Sequence, residues 1–234
     1  MMARISPPNR NRGYNHDMQI LMNSGGIAMT NCFVVADEIT NKAVLFDAPD
    51  HTVGPVLDEV QKRGWELVGL WFTHGHFDHV ADHAEVTRRF PGARVLIHKL
   101  DEPKLQQPNS SVFILPFVIP PRNADAHVED GQSLEIGSLK ATVLHTPGHS
   151  PGHVMYHFAD EGLLVGGDLI IGGSVGRTDL PDSNHAQLIE SIRRVMRLPH
   201  TTQLLPGHGQ PGTLEYELQT NPFVREVVEA SQEG

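Results

Sequence analysis

The stretch Thr73-His74-Gly75-His76-Phe77-Asp78-His79 directly follows the apolar run from Leu67 to Phe72. Such a run is typical of a buried strand, so the histidines begin where the strand ends. Residues two apart in an extended segment project to the same side, so His74 and His76 are placed to bind one metal ion. Asp78 and His79 begin the next helix, turned toward a second ion. The alternative is a solvated loop with a chance cluster of histidines, which the position after a buried strand disfavours.

Three more ligand-type side chains lie in glycine-containing turns that follow short apolar runs: His149, Asp168 and His208. Loops at one edge of an α/β fold can converge on a single site. Together with the first stretch they supply five His and two Asp, enough for two metal ions that share a bridging carboxylate. Imidazole and carboxylate ligands suit Zn, Fe(II) or Mn.

The composition agrees with such a site and excludes other classes. The chain has 234 residues, with 15 His and a single Cys, and its net charge is -10. One cysteine, Cys32, permits neither an intramolecular disulfide framework nor a Cys-rich zinc site, and its best interpretation is a buried structural thiol. The acidic balance argues against nucleic-acid binding. We find no targeting signal and no membrane-spanning stretch, so we expect a cytoplasmic protein without a membrane partner.

Hydrophobic patterning predicts two rounds of strands, helix, strand and helix, which suits two sheets packed face to face with helices outside. Residues 1–17 are predicted to be a flexible N-terminal arm and residues 18–234 a single domain. Predicted helices cover residues 53–63, 78–90 and 184–198, the last capped by Asp182 or Ser183. The tail over residues 213–230 is predicted to be helical, with a break at Asn221-Pro222.

Residues 112–120 form an apolar run in a proline-rich section that does not suit a central strand. One interpretation is a loop packed over the core. The other is functional: a pocket wall, a lid or a contact in a homodimer.

The seven ligand-type residues, in the order HxHxDH, H, D, H, resemble the metallo-β-lactamase fold superfamily. The segments HTPGHSPGH, GGDLI, GSVGRTDLP and LLPGHG, which contain His149, Asp168, Arg177 and His208, are similar to the glyoxalase II-like (short hydroxyacylglutathione hydrolase-like) branch. Asn221-Pro222-Phe223 also looks like that branch. The resemblance runs from about Met18 to Phe223. Few residues follow His208, so the chain resembles the short members of this branch. These members lack the helical extension of glyoxalase II, which helps to bind glutathione.

The resemblance implies a four-layer αββα sandwich of two mixed sheets with outer helices. It also implies two divalent metal ions, Zn first and Fe or Mn as alternatives. By this resemblance His74, His76 and His149 hold one ion, Asp78, His79 and His208 hold the other, and Asp168 bridges both. A metal-bridging hydroxide then attacks the carbonyl carbon of a small-molecule thioester or ester, with Asp78 and Asp168 as the catalytic carboxylates.

Other functions stay open at this point. A persulfide dioxygenase would bind one Fe(II) through His74, His149 and Asp168, a facial triad with open positions for O₂. The Pro-Gly-His-Gly run around His208 favours the hydrolase. A lactonase or another ester hydrolase would use the same chemistry as the thioesterase, whereas a regulatory protein without catalysis would be expected to have lost some of the seven residues.

Three further residues are candidates for supporting roles. Asp47, which follows a predicted strand, either orients a ligand histidine or caps a turn. Arg177 and Asp179 either brace the ligand loops or meet the substrate, or they form an ordinary salt bridge in a loop.

Overall fold

The computed structural model of the chain describes residues 2–5, 18–110 and 112–230, in which most strands belong to two large sheets. The first sheet has seven strands in chain order: β1 (Ala3–Ile5), β2 (Met18–Gly25), β3 (Thr30–Asp37), β4 (Lys42–Phe46), β5 (Glu66–Trp71), β6 (Arg94–His98) and β7 (Ala126–Val128). The strands from β1 to β4 pair antiparallel, and those from β4 to β7 pair parallel.

The second sheet is also mixed and has six strands. In chain order they are β8 (Ser133–Ile136), β9 (Leu139–His145), β10 (Val154–Phe158), β11 (Leu163–Gly167), β14 (Gln203–Pro206) and β15 (Gly212–Thr213), and their spatial order is β15-β14-β11-β10-β9-β8. Only β11 and β14 pair parallel. A small hairpin is formed by β12 (Ile170–Ile171) and β13 (Ser174–Val175).

Seven helices accompany the sheets in the described residues. They are α1 (Gly54–Arg63), α2 (Phe77–Val80), α3 (His83–Arg89), α4 (Glu102–Gln106), α5 (His185–Val195), α6 (Leu214–Thr220) and α7 (Pro222–Ala230), with a 3₁₀ turn at Pro108–Ser110. None of these helices has the length and apolar character needed to cross a membrane.

Successive side chains of each strand point to opposite faces of its sheet, and this alternation produces four layers. In β3, Val34 packs with the apolar face of α1, while its neighbour Val35 packs between the sheets. In β10, Tyr156 faces the first sheet and Met155 faces the outer helices α5 and α7. Each sheet therefore packs against the other sheet on one face and against helices on its outer face, and the predicted αββα sandwich is confirmed.

The predicted helix over residues 78–90 is wrong as one element, because the structure divides it into α2 and α3. The backbone N–H of Ala48 donates to the carbonyl of His79 at 2.7 Å, and the N–H of Asp82 donates to the carbonyl of Ala48 at 2.8 Å. These tertiary hydrogen bonds replace helical hydrogen bonds at the break. The local hydrophobic pattern does not reveal that Ala48 is available as a partner.

Two other local predictions need correction. Asn184, and not Asp182 or Ser183, caps α5, since its side chain accepts from the N–H of Gln187 at 3.0 Å. The flexible arm expected over residues 1–17 is wrong for Ala3–Ile5, which pairs with β2 as an edge strand. Residues 6–17 lie outside the described residues.

Strand direction brings the predicted site residues to one edge of the sandwich. The parallel strands β4, β5 and β6 all end there, as do β11 and β14 in the second sheet. The two sheets are joined at this edge, where the N–H of Val154 donates to the carbonyl of Thr73 at 2.8 Å and that of Asn31 donates to the carbonyl of Gly207 at 2.7 Å. Loops that follow these strands therefore meet in one place.

At the opposite end of β3, Asp37 ties the two sheets together. Its carboxylate accepts hydrogen bonds from the backbone N–H and Oγ of Ser138 at 2.7 and 2.9 Å, and from Oγ1 of Thr40 at 2.8 Å. Burial alone would raise the pKa of Asp37, but these hydrogen bonds lower it below its ordinary value. Its stabilising effect is therefore complete at neutral pH and is lost as the pH falls through the lowered folded-state pKa.

We expect Asp37→Ala to lower the free energy of unfolding by about 2 kcal/mol, because the backbone N–H of Ser138 and the hydroxyl groups of Ser138 and Thr40 lose their acceptor. That corresponds to a decrease in Tm of roughly 4–8 °C, measured by thermal denaturation at pH 7. The difference from wild type should shrink below about pH 4, where the unfolded-state carboxyl becomes protonated. Metal content should not change, and a loss of metal in this variant would contradict a purely structural role.

Candidate metal centre

The structure brings all seven predicted ligand residues together. Three overlapping groups have donor atoms within 4.8 Å of one another: His74 with His76 and His149, His74 with His79 and Asp168, and Asp78 with His79 and His208. His74, His79 and Asp168 are buried, and both histidines follow β5 whereas Asp168 follows β11 of the second sheet. Because the groups share members, they form one continuous centre with two halves.

Several donor atoms in this centre point at one another without forming hydrogen bonds. Nε2 of His74, Nε2 of His79 and Oδ1 of Asp168 are buried, with no hydrogen-bond partner among the described residues. Nε2 of His79 lies 3.3 Å from Oδ1 of Asp168, yet the two atoms are not oriented to bond. Buried polar atoms normally have partners, so unpartnered atoms that converge indicate a place for a ligand. Imidazole nitrogens and carboxylate oxygens fit a divalent cation such as Zn or Fe(II).

Asp168 lies between the two halves of the centre. Its Oδ2 is 3.6 Å from Nε2 of His149 on one side and 3.2 Å from Nε2 of His208 on the other. Gly207 allows this approach, because a Cβ atom there would lie 2.0 Å from Oδ1 of Asp168. The carboxylate is therefore the described side chain positioned to contact ions in both halves.

The far sides of the histidine rings are held by acceptors. Nδ1 of His79 lies 2.9 Å from Oδ2 of Asp47, and Nδ1 of His149 lies 2.9 Å from the backbone carbonyl of Arg177. Nδ1 of His74 lies 3.1 Å from Oγ1 of Thr73, which itself donates to Asp47 at 2.8 Å. Asp47 thus takes the orienting position that the sequence offered as one of two interpretations. It adopts a left-handed backbone, with φ of 58°, a conformation that is uncommon for a residue other than glycine.

Two further buried residues, neither of them among the seven predicted ligands, support the centre. His153 accepts from the backbone N–H of Asp168 at 2.9 Å through Nε2, and its Nδ1 lies 2.8 Å from Oγ1 of Thr146. The repeated Pro-Gly-His pattern at 151–153 was the available signal for His153.

The other such residue is Asp101, which follows β6. It accepts from the N–H of Gly75 at 2.7 Å, from Oγ of Ser150 at 2.5 Å and from the N–H of Gly152 at 2.7 Å. Nζ of Lys104 lies 3.1 Å from the same carboxylate. Asp101 thereby connects the loop of His74 and His76 to the loop of His149.

The electrostatics of the centre favour a cation. Burial lowers the pKa of His76 to about 4, and burial together with the charges of His79 and His76 lowers the pKa of His74 well below its ordinary value. These imidazoles are neutral at pH 7 and keep a lone pair. Burial would also lower the pKa of His79, but the carboxylates of Asp168, Asp78 and Asp47 raise it well above its ordinary value. The negative potential that attracts a proton to His79 would equally attract a metal ion.

The centre forms the floor of a cavity of about 500 Å³, a volume within the usual range for small-molecule sites. Its walls are largely apolar, and the apolar residues among its lining are Ala28, Phe77, Pro108, Val112, Phe113, Leu180 and Pro181. The apolar run at 112–120 therefore supplies part of the pocket wall, as one of its interpretations predicted. Only Ile119 of that run is fully buried, so the interpretation as a loop packed over the core is wrong for most of it.

Arg177 lines this cavity and pairs with Asp179. Nε and an Nη atom of Arg177 donate to the two carboxylate oxygens of Asp179 at 2.6 and 2.7 Å, and both side chains are mostly exposed. The backbone carbonyl of Arg177, and not its guanidinium, contacts the ring of His149. The ion pair is therefore a loop salt bridge beside the centre.

Comparisons with known proteins agree with this geometry. A sequence model of the metallo-beta-lactamase superfamily matches residues 25–208. The chain is 31% identical over 198 residues to a hydroxyacylglutathione hydrolase of Gloeobacter violaceus, covering 84% of this chain and 71% of the relative.

Two crystal structures are similar over nearly their whole length. The B3 metallo-beta-lactamase BLEG-1 is 30% identical with a TM-score of 0.80, covering 88% of this chain and 99% of that one. TTHA1623, in a di-iron-bound form, is 34% identical with a TM-score of 0.76, covering 86% of this chain and 98% of that one. The chain described here belongs to the metallo-beta-lactamase superfamily.

Proposed function

We propose that this metallo-beta-lactamase superfamily hydrolase uses two divalent metal ions to hydrolyse a small-molecule thioester. The observation that carries the proposal is that two groups of ligand-type side chains meet at Asp168 on the floor of an apolar-walled cavity. The proposal is supported by the relative named as a hydroxyacylglutathione hydrolase and by the similar structure in a di-iron-bound form.

The ligands divide between two ions. His74, His76 and His149 would hold the first, and Asp78, His79 and His208 would hold the second, with Asp168 contacting both. When bound, such a pair of cations acts as a Lewis acid and lowers the pKa of water toward neutrality. A one-iron dioxygenase would leave the group of Asp78, His79 and His208 without a role, so the geometry favours two ions.

The protein determines which nitrogen of each imidazole faces the ions. The carbonyl of Arg177 can only accept, so Nδ1 of His149 must carry the proton and Nε2 keeps its lone pair. Oγ1 of Thr73 gives its own proton to Asp47, so it accepts from Nδ1 of His74 and leaves Nε2 of that ring as a ligand. The carboxylate of Asp47 likewise accepts from Nδ1 of His79 and leaves Nε2 of that ring as a ligand.

A thioester suits this cavity because its leaving group needs little help. A thiol has a pKa of about 8.5, so the thiolate can depart without a general acid. The apolar part of the wall, formed by Phe77, Val112, Phe113 and Leu180, offers no proton donor to the leaving group.

The test combines metal analysis with turnover. Protein purified without added metal should contain about two divalent ions per chain by elemental analysis. It should hydrolyse S-lactoylglutathione or a neutral acyl thioester of N-acetylcysteamine. Hydrolysis of a chromogenic cephalosporin without hydrolysis of any thioester would contradict the proposal. About one iron per chain, with oxygen uptake on glutathione persulfide and no hydrolysis, would identify a dioxygenase instead.

A further inference from the structure

The apolar wall of the cavity continues onto an exposed apolar surface. Val112 and Phe113 line the cavity and are 65% and 41% exposed. Beyond them on the same loop, Ile114 is fully exposed and Val118 is 82% exposed. Exposed aliphatic side chains that adjoin a cavity are a common feature of binding sites for apolar ligands.

A second segment extends this surface. The turn between β2 and β3 contributes Ala28 to the cavity lining, and its neighbours Ile27 and Met29 are 56% and 63% exposed. We use the term apolar rim for Ile27, Met29, Val112, Phe113, Ile114 and Val118. The rim thus comes from two separate segments, each of which also lines the cavity.

The cationic side chains of the described lining are already paired with carboxylates. Nζ of Lys104 lies 3.1 Å from Asp101 and 2.5 Å from Asp182. Arg177 makes two hydrogen bonds to Asp179, and its guanidinium also lies 5.8 Å from the ring centroid of Phe113. An anionic group on a substrate would share these cations with the carboxylates that already neutralise them, in a chain whose net charge is -10. The lining therefore favours an uncharged, apolar group over a carboxylate-bearing one.

We infer that the substrate is a thioester with an apolar acyl chain of medium length, which lies against Val112 and Phe113 and extends along the apolar rim. This inference rests on the proposed function, because it specifies the acyl group of the same reaction. The carbonyl would lie over the metal centre, and the chain would follow the apolar wall outward, where each buried methylene adds to the binding free energy.

Binding can be tested without catalysis. S-alkyl thioethers of N-acetylcysteamine lack the thioester carbonyl and cannot be hydrolysed at sulfur, and their affinity for the purified protein is measurable by calorimetry. We expect the octyl compound to bind at least about tenfold more tightly than the methyl compound, since burial of only two of its additional methylenes, at about fourfold each, already exceeds that ratio. An affinity that is independent of alkyl length would overturn the inference, as would tighter binding of S-methylglutathione than of the octyl compound.

Matched variants test where the alkyl chain of the octyl compound lies on the protein. Phe113 is partly exposed. Phe113→Ala should weaken binding of the octyl compound about tenfold and should weaken binding of the methyl compound far less. Ile39→Ala is the control, because Ile39 is similarly exposed at 57% but follows β3 at the edge away from the metal centre. An equal effect of both substitutions on the octyl compound would contradict the assignment of the rim.

Binding and turnover together distinguish a failure of this inference from a failure of the proposed function. If chain-length-dependent binding is found but no thioester is hydrolysed, the apolar site stands and the proposed function fails. If thioesters are hydrolysed equally well at every acyl length, the function stands and the inference fails.

A second copy of the chain is the alternative occupant of the rim. The measurement is the oligomeric state of the wild type and of Ile114→Asp by analytical ultracentrifugation. A monomer in both cases, with weaker octyl binding in the variant, supports the inference. A dimer that Ile114→Asp dissociates, with unchanged octyl binding, would assign the rim to that contact and overturn the inference.

Discussion

Asp168→Ala is expected to remove at least one of two metal ions from the purified protein and to reduce thioester hydrolysis by about a thousandfold or more. The carboxylate approaches His149 on one side and His79 and His208 on the other, so its loss weakens both halves of the centre. Elemental analysis of the variant, together with its kcat/KM, checks the expectation.

Two variants make this result interpretable. Asp168→Asn keeps the size of the side chain and removes its charge, so a similar loss of metal would show that the charge is responsible. Asp179→Ala removes an exposed carboxylate from a loop beside the centre and should retain both ions. Full metal content and full activity in Asp168→Ala would show that Asp168 does not bridge two ions.

The ligand set could be predicted from the sequence because its signals are local. The seven residues lie in four segments that follow short apolar runs, and the strands before these segments end at the same edge of the sandwich. The stretch from His74 to His79, between the end of β5 and α2, contains four of the seven residues. The positions of these residues could therefore be predicted from the strand ends, which hydrophobic patterning indicates well.

The supporting residues could not be predicted in the same way. Asp101 contacts Gly75, Ser150 and Gly152, residues that are 26 to 51 positions away in the chain. From the sequence alone it is one aspartate after one strand, which is equally typical of a turn cap. Its importance depends on two loops that come together only when both sheets are formed.

The errors in the fold have the same origin. The pattern over residues 78–90 predicts a continuous helix, but Ala48 interrupts it through backbone bonds to His79 and Asp82. The run at 112–120 is apolar enough to suggest burial, yet most of it is exposed, and Val112 and Phe113 line a cavity. Hydrophobicity shows that a segment contacts something apolar and does not show whether the contact is the core, a substrate or a partner chain. A homodimer contact at this run stays a prediction.

Asp101→Asn is expected to lower the free energy of unfolding by about 3 kcal/mol, a decrease in Tm of roughly 6–12 °C. Both carboxylate oxygens accept hydrogen bonds at this fully buried position, so an amide would place an NH₂ group against a buried donor. Because the two connected loops carry His74, His76 and His149, we also expect metal affinity to fall about 10- to 100-fold. Competition with a chelator of known affinity measures the second effect.

Lys104→Met is the matched control for this prediction. It removes the partly exposed ammonium that pairs with Asp101 but leaves the bonds to both backbone N–H groups and to Ser150. Its effects on Tm and on metal affinity should both be smaller than those of Asp101→Asn. If Asp101→Asn lowers Tm while metal affinity stays at the wild-type value, Asp101 stabilises the fold and does not position the ligands. If Tm and metal affinity both fall, the carboxylate of Asp101 is needed to hold the two loops in the positions at which the histidines meet. Asp101 contacts those loops through its hydrogen bonds to Gly75, Ser150 and Gly152, and not through the imidazoles themselves.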